Sequence, residues 1–274
     1  MIGQPEPAPG PVVDAATVKQ CCARLYESDV VRLLLGDSFH PGGARLTGRL
    51  GTLLGVDAAS EILDVASGLG SSAMSLAERH GCRVLGVDYG SENVARDTAA
   101  AAARGLSDRV RFERADAEAL PLPDTSVDIV ICECALCTFP DKAAAAREFA
   151  RVLRPGGQVG LCDVTRSAEM PPDELADLFS WIACLGDAKS VDGYVALLEA
   201  AGLQVAEVER RDDALQDVVN DVRGRLLAAE VMAGLGKLDL PGFDFRGAND
   251  MARTATRAIR AGHLGYAIVT ATKV

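Results

Sequence analysis

The chain has 274 residues, of which 49% are hydrophobic and 4% aromatic. That length suffices for one large domain with an extended lid, and the core must rely on alanine, valine and leucine because aromatic side chains are few. The formal net charge of −11 argues against a nucleic-acid partner, because phosphate backbones are normally met by basic protein surfaces.

The sequence offers no targeting or membrane signal. It contains no run of about 20 apolar residues, the length that a membrane-spanning helix needs. Residues 1–14 are rich in proline and lack both the basic start and the apolar stretch of a secretion signal. We therefore expect a cytoplasmic protein without membrane contact, in which the eight cysteines are reduced thiols.

The N-terminal part is predicted to consist of an arm and a helical segment. The prolines of Gln4–Pro11 remove backbone donors and fix φ, so residues 1–13 are predicted to be a disordered arm. Residues 14–58 are predicted to form an N-terminal helical lid segment, because the apolar side chains between Val18 and Leu34 follow helical spacing.

The chain is organised around the stretch Ile62–Gly70. An apolar run that carries Asp64 leads into a turn of small residues, and the amphipathic pattern after the turn is typical of a helix. Gly68 and Gly70 allow the backbone to turn sharply and let a ligand approach it beneath a helix N-terminus. A second buried strand ends at Asp88, about 20 residues on, the spacing of a carboxylate that binds ribose hydroxyls. The pattern predicts a nucleoside-binding βαβ unit.

The remaining core alternates strands with helices. Such alternation predicts a parallel sheet with right-handed crossovers and helices on both faces. The run Val127–Cys132 is apolar almost throughout, as a doubly buried central strand requires. A helical insertion at 212–262 is either a cap over the substrate or a homodimer interface. We predict strands near 61–65, 83–88, 109–113, 127–133, 158–164, 204–210 and 266–272, and helices near 71–80, 91–104, 141–153, 172–184 and before Gly202.

Four motifs follow one another in the chain: the turn after Asp64, the acid Asp88, the segment Ala115–Asp124 and the segment Arg151–Gly157. In this order they resemble the class I S-adenosylmethionine-dependent methyltransferases. The turn also lacks the third glycine of a dinucleotide fingerprint. The resemblance implies an α/β fold, a doubly wound, mostly parallel seven-stranded sheet of the Rossmann-like methyltransferase type, over residues 59–274. It further implies S-adenosyl-L-methionine as cofactor and a last strand that pairs antiparallel beside the sixth.

The same resemblance assigns the cofactor contacts. The turn after the first strand is expected to contact the methionine part, Asp88 the ribose, and Asp116 with Ala117 the adenine. Glu133 ends the fourth strand, where we expect a backbone contact. The full expected set is Asp64, Ala66, Ser67, Gly68, Asp88, Tyr89, Asp116, Ala117 and Glu133.

His40 is the histidine that we select as a candidate general base. An oxygen or nitrogen acceptor often needs a base within hydrogen-bond reach. His40 lies in the loop 36–43, which is either a lid over the methionine end of the cofactor or a surface connection between helices. His80 beside Gly81 is expected to have a structural role at a helix C-terminus instead.

The cysteines indicate a different acceptor. Cys132, Cys134 and Cys137 lie at the end of the fourth strand, next to the expected position of the reacting methyl group, and Cys162 and Cys184 lie on the segments that follow. Thiolates suit a soft, thiophilic centre, although a single cysteine is ordinarily a small buried residue.

A second resemblance, to the arsenite methyltransferases, rests on these cysteines. Cys134 precedes a Pro140–Lys142 segment, and Cys184–Ala188 precedes Val191–Tyr194, as in that family. Carried over, Cys134 and Cys184 are the catalytic thiolates that bind trivalent arsenic. The arsenic lone pair then attacks the sulfonium methyl group, so no general base is required.

Several alternatives stay open at this point. The family's amino-terminal cysteine pattern is absent in its usual form, and adjacent Cys21 and Cys22 point about 100° apart on a helix, so at most one faces the site. The acceptor is either this metalloid or an organic small molecule such as a quinone, polyketide or amine. The group Cys132, Cys134 and Cys137 is alternatively a structural zinc site, although its first cysteine lies in a predicted buried strand. A protein that only senses the metalloid is the non-enzymatic alternative.

Overall fold

The computed structural model describes residues 14–27, 29–36, 39–167, 187–240 and 242–274. The predicted arm at 1–13 and the predicted helix at 172–184 lie outside the described residues, and so does Cys184. None of the helices in the described ranges is both long and apolar enough to cross a membrane.

A seven-stranded sheet forms the centre of the molecule. The strand order is β3-β2-β1-β4-β5-β7-β6, with parallel pairing from β3 to β5 and antiparallel pairing of β7 with both β5 and β6. This is the predicted doubly wound α/β arrangement, including the antiparallel last strand beside the sixth. The strands are β1 Glu61–Val65, β2 Arg83–Asp88, β3 Val110–Arg114, β4 Val127–Glu133, β5 Leu153–Arg166, β6 Leu203–Arg210 and β7 Leu264–Lys273.

The two faces of the sheet bury separate apolar clusters. Alternate residues of one strand belong to different clusters: Ile62 packs on one face, whereas Leu63 and Val65 pack on the other. Helices cover both faces, which explains why β1 and β4 are almost continuous apolar runs. The helices are α1 Ala15–Glu27, α2 Asp29–Leu35, α3 Gly43–Leu53, α4 Ser71–His80, α5 Ser91–Ala103, α6 Lys142–Val152, α7 Val191–Ala200, α8 Asp212–Gly234 and α9 Phe245–Arg260.

Helix α3 lies within the helical segment predicted at 14–58, but the sequence did not indicate its bounds. Its side chains Leu46 and Leu50 are fully buried, and Leu50 lies so close to Gly160 of β5 that a side chain there would displace it. The helix therefore belongs to the core of the sheet face rather than to a mobile cover. Within the described residues, α1 begins at Ala15, and α1 and α2 lie on either side of position 28.

The motif Arg151–Gly157 has a structural role. Arg151 donates hydrogen bonds to the carbonyls of Leu120 and Leu122 and forms ion pairs with Glu148 and Asp124. It thereby attaches the end of α6 to the segment after β3. Strand β5 begins at Leu153, earlier than the predicted residue 158, because Leu153 already pairs with Val127 of β4. The register is then interrupted before Gln158 pairs with Ile129, and Gly156 in the interruption has a φ of 77°.

The insertion at 212–262 contains two helices, α8 and α9. Arg225 of α8 donates to the carbonyl of Leu34 at 3.0 Å, so the insertion is attached to the end of α2. Helix α9 turns its alanines inward, and Ala252 and Ala255 are buried. The insertion and the N-terminal segment thus lie against each other on one side of the sheet.

Candidate active site

A cleft lies over the carboxyl ends of β1, β2 and β4, where open α/β sheets bind their ligands. All of the predicted cofactor residues lie on its wall, together with His40 and Cys134. Two further groups were not among the predicted cofactor residues: Lys19, Cys22, Ala23 and Tyr26 of α1, and Ser72 and Asn93 of α4 and α5. The wall comprises Lys19, Cys22, Ala23, Tyr26, Phe39, His40, Asp64, Ala66, Ser67, Gly68, Leu69, Ser71, Ser72, Val87, Asp88, Tyr89, Asn93, Ala115, Asp116, Ala117, Glu118, Glu133, Cys134, Ala135, Thr138 and Phe139.

The turn after β1 brings the backbone close to this cleft. Ala66, Gly68 and Gly70 all have positive φ, at 57°, 57° and 63°. A β-carbon on Gly70 would lie 2.6 Å from the ring of Phe112, so both the conformation and the space require glycine. Gly70 is the N-cap of α4, and the N-terminus of this helix supplies partial positive charge beside the turn.

Asp64 faces the cleft as a buried and incompletely paired acid. Its Oδ2 atom has no hydrogen-bond partner among the described residues. Burial raises the pKa of Asp64 well above its ordinary value, and the nearby charges of Glu133, Asp97 and Asp88 raise it further. A set of acids that repel one another inside a cleft favours a cationic ligand. The ammonium and sulfonium groups of S-adenosylmethionine are such cations, so these residues fit the expected cofactor.

Asp88 is held in a fixed orientation at the end of β2. Its Oδ2 accepts the backbone N–H of Gly68 at 3.0 Å, and its Oδ1 accepts that of Gly90 at 2.7 Å. Burial raises the pKa of Asp88, although these hydrogen bonds and that of Asn93 act to lower it. The carboxylate is therefore presented beside the glycine turn, where a ribose hydroxyl is expected. The neighbouring Tyr89 lies under the guanidinium of Arg114, 5.6 Å from its ring centre.

Asp116 forms an unexpected ion pair. The ammonium of Lys19 lies 2.9 and 2.7 Å from its two carboxylate oxygens and 2.5 Å from Oε2 of Glu118. Lys19 stands nearly a hundred residues earlier in the chain, and no local pattern marks it. The helical spacing of α1 was visible in the sequence, but its contact with this end of the cleft was not.

His40 belongs to a buried polar network rather than standing alone. Its Nε2 lies 3.2 Å from Oγ of Ser72 and 3.4 Å from Oγ1 of Thr47, and its Nδ1 lies 3.7 Å from Oε1 of Glu133. Ser72 and Thr47 both donate to Oε2 of Glu133, at 2.6 and 3.0 Å. The Glu133 side chain thus holds two hydroxyls and the imidazole together at one end of the cleft.

Cys134 follows β4 with a positive φ of 56°. Non-glycine residues seldom adopt this conformation, and such strain is concentrated at functional positions. Its backbone N–H donates to the carbonyl of Cys162 at 2.6 Å, which fixes the turn against β5. The thiol-bearing residue lies on the cleft wall. Across the described residues, only Ala66, Thr125 and Cys134 combine a side chain with positive φ, and two of them border the cleft.

The other cysteines divide into buried and exposed residues. Cys132, Cys137 and Cys162 are buried, Cys21 is exposed, and Cys22 lies on the cleft wall. Of the adjacent pair on α1, one residue therefore faces the cleft, as helical geometry requires. Within the ranges that the structure covers, no three histidine, cysteine, aspartate or glutamate side chains form a metal site, so the zinc interpretation finds no support there.

Parts of the chain are similar to known proteins. The family described as "Methyltransferase domain" matches residues 63–161. Methyltransferase GfsG of Streptomyces halstedii is 36% identical over 177 residues, which are 63% of this chain and 63% of that protein. An arsenite methyltransferase of Halobacterium salinarum is 32% identical over 181 residues, 63% of this chain and 46% of that protein. The chain therefore spans less than two thirds of the length of these two relatives.

A third relative matches over more of its own length. The 27-O-demethylrifamycin SV methyltransferase of Amycolatopsis mediterranei is 31% identical over 199 residues, 66% of this chain and 72% of that protein. Among solved structures, phosphoethanolamine N-methyltransferase 2 of Haemonchus contortus with S-adenosyl-L-methionine aligns with a TM-score of 0.80 at 18% identity, covering 96% of this chain and 60% of that one. At this identity the structural likeness shows the shared fold alone.

Proposed function

Because the chain belongs to the class I S-adenosylmethionine-dependent methyltransferases, we propose that it transfers the methyl group of this cofactor to a trivalent arsenical bound by cysteine thiolates. The observation that carries the proposal is the position of Cys134. Cys134 has a positive φ in the turn at the carboxyl end of β4, and it lies on the wall of the same cleft as the predicted cofactor residues.

The cofactor, when bound, supplies an electrophilic methyl group on a sulfonium. The task of the protein is then to hold the acceptor in line with that methyl group and to exclude water. In this proposal Asp64 and the glycine turn bind the charged methionine end of the cofactor. Asp88 binds its ribose, and Asp116 binds its adenine. Cys134, which lies on the same cleft wall and has no role in cofactor binding in this proposal, holds the acceptor.

Two features support a soft acceptor. Cys22 on α1 lies on the wall of the same cleft as Cys134, so two thiol-bearing residues border it. The arsenite methyltransferase of Halobacterium salinarum is 32% identical to the matched part of the chain. A thiolate-bound trivalent arsenic carries a lone pair, so its methylation requires no proton removal. Cys184 is the second thiolate ligand of the arsenic in this proposal, and Cys22 is the third.

The test is methylation of arsenite in the presence of glutathione, with products identified by mass spectrometry. We expect Cys134→Ser and Cys184→Ser each to lower the rate at least about tenfold, because a hydroxyl binds soft arsenic poorly. Cys21→Ser is the matched control, since Cys21 is exposed on the same helix as Cys22. Full activity of Cys134→Ser, or no methylated arsenic from the wild-type protein, would contradict the arsenic proposal.

An organic acceptor is the second candidate, and His40 is the observation that favours it. Its imidazole lies on the cleft wall with Glu133 3.7 Å away, an arrangement that suits removal of a proton from a hydroxyl. The name of the 27-O-demethylrifamycin SV methyltransferase also describes an organic acceptor for that relative.

The two candidates differ in their dependence on His40. With an organic hydroxyl, His40→Gln should lower kcat about a hundredfold, because it removes the base, whereas Cys134→Ser should leave the rate within about twofold. With a thiolate-bound arsenical, Cys134→Ser should lower the rate, whereas His40→Gln should leave it within about twofold.

A further inference from the structure

Helix α1 covers the cleft along one complete face. Lys19, Cys22, Ala23 and Tyr26 all lie on the cleft wall. Their spacing of i, i+3, i+4 and i+7 places them on one side of a helix. Arg24 on the other side is exposed. The helix therefore crosses the cleft rather than touching it at one end.

The first turns of α1 are fixed by the ammonium of Lys19. Its three contacts, two to Asp116 and one to Glu118, match the three N–H donors of the group. The side chains of Lys19 and Glu118 are only 14% and 13% exposed, so solvent screens this pair less than an ordinary surface pair. Burial acts to lower the pKa of Lys19, but the hydrogen bonds to both acids outweigh it and raise the pKa. Lys19 thus stays charged.

Asp116 keeps the capacity to accept a ligand while Lys19 is bound. Its Oδ1 accepts both Lys19 and the backbone N–H of Glu118, at 2.9 and 3.0 Å. Among the described residues its Oδ2 accepts Lys19 alone. A carboxylate oxygen has two lone pairs, so Oδ2 retains one for an amino group on a purine. Lys19 therefore orients the acid without occupying it completely.

The last turn of α1 is attached at the ribose end. Oε1 of Glu27 accepts the backbone N–H of Glu92 in the first turn of α5, at 3.1 Å. The charge of Glu27 also raises the pKa of Asp88, so the two carboxylates are close. Helix α1 is consequently tied down at both ends, over the acid expected for adenine and over the acid expected for ribose.

We propose that α1 is a lid over the nucleoside, closed by a latch in which Lys19 bridges Asp116 and Glu118, and that opening of this latch limits cofactor release. Lys19 acts as a positioning residue through Asp116. The inference rests on the assignment of the cleft to S-adenosylmethionine. Because opening of the latch exposes its charges to solvent, where salt screens their attraction, release should become faster as the salt concentration rises.

The test is the rate of binding and release of S-adenosylhomocysteine, measured by surface plasmon resonance on the immobilised full chain. Lys19→Met should raise the dissociation rate about tenfold, and Lys19→Arg should restore it to within about threefold, because arginine keeps the charge. Glu118→Gln, which keeps Asp116, should raise it by a smaller factor. Arg24→Met is the matched control on the exposed face of α1 and should leave both rates unchanged.

Salt separates the latch from a general effect on folding. Raising sodium chloride from 50 mM to 1 M should accelerate release from the wild-type protein severalfold and from Lys19→Met hardly at all. Equal dissociation rates and equal salt dependence in both proteins would overturn the latch while leaving the cofactor assignment intact. Failure of the wild-type protein to bind S-adenosylhomocysteine would overturn the cofactor assignment and the latch with it.

Discussion

Asp64 shows how a single residue links stability to binding. Its folded-state pKa is raised, so protonated Asp64 stabilises the fold at low pH, and that contribution is lost as the pH rises through the raised value. Asn at this position keeps an oxygen for the backbone N–H of Ala73 and removes the charge. We expect Asp64→Asn without cofactor to be more stable than wild type at pH 8, by about 1 kcal/mol or more.

Urea denaturation at pH 8, with and without S-adenosylhomocysteine, measures this difference. The stabilisation that the ligand confers should be smaller in Asp64→Asn, because the cationic end of the ligand loses its buried partner. Asp108→Asn, at an exposed site, is the control. A variant that is less stable than wild type without the ligand, and equally stabilised by it, would contradict this role for Asp64.

Asp163 allows a second prediction from a buried acid. Burial raises its pKa from 3.8 to about 6, against hydrogen bonds from Cys137 and Val164 that lower it. Because the folded-state pKa is raised, the contribution of Asp163 to the free energy of unfolding is present below pH 4 and is lost as the pH rises to about 6 and above. The loss amounts to about 3 kcal/mol for a shift of this size.

The measurement is the free energy of unfolding of wild type and Asp163→Asn between pH 4 and pH 7. The difference between the two proteins should change by about 3 kcal/mol over this range, in favour of the variant at higher pH. The absolute stability of the variant will be lower at pH 4, since an amide has one acceptor oxygen for the backbone N–H groups of Cys137 and Val164. A pH-independent difference would show that Asp163 does not titrate as described.

At the scale of elements, the turn between β1 and α4 is the part in which sequence and geometry agree most closely. Gly70 combines a φ of 63° with contact to Phe112 and Asp97. Gly105, after α5, has a φ of 70° and open space around it. Replacing each by alanine therefore separates the cost of backbone conformation from the cost of the clash.

We expect Gly105→Ala to lower the free energy of unfolding by about 1 kcal/mol, the cost of a left-handed non-glycine residue. Gly70→Ala should lower the free energy of unfolding by about 1–3 kcal/mol more than Gly105→Ala does, because the added methyl group must displace Phe112. It should also weaken S-adenosylhomocysteine binding, while Gly105→Ala should not. Chemical denaturation and calorimetry of the two variants measure these differences, and equal losses would contradict the packing argument.

Helix α3 illustrates an element whose bounds the sequence could not indicate. Leu46, Leu50 and Leu54 are spaced as on a helix, but Gly48 and Gly51 between them lower the helical propensity. Tertiary packing decides the outcome, because a β-carbon on Gly51 would lie 2.9 Å from Leu76 of α4. The small residues that obscured the helix in the sequence are what allow α4 to approach it.

At the scale of the whole molecule, the fold was predictable because periodicity is local. A few neighbouring residues suffice to predict a strand from the apolar run Val127–Cys132 and a turn from Gly68 and Gly70. Contacts between distant segments leave no such trace. Lys19 and Asp116 are 97 positions apart, and only the folded chain brings them together. The cofactor residues could therefore be predicted from the sequence, whereas the ion pair between Lys19 and Asp116 could not.

The central claim is that the acid at the end of β2 and the glycine turn after β1 form the binding site for S-adenosylmethionine. Isothermal titration calorimetry of S-adenosylhomocysteine with wild type, Asp88→Ala and the exposed-site control Asp108→Ala tests it most directly, with circular dichroism to confirm folding. We predict one binding site in wild type and in the control, and at least about tenfold weaker binding in Asp88→Ala. Unchanged affinity in a folded Asp88→Ala protein would contradict it.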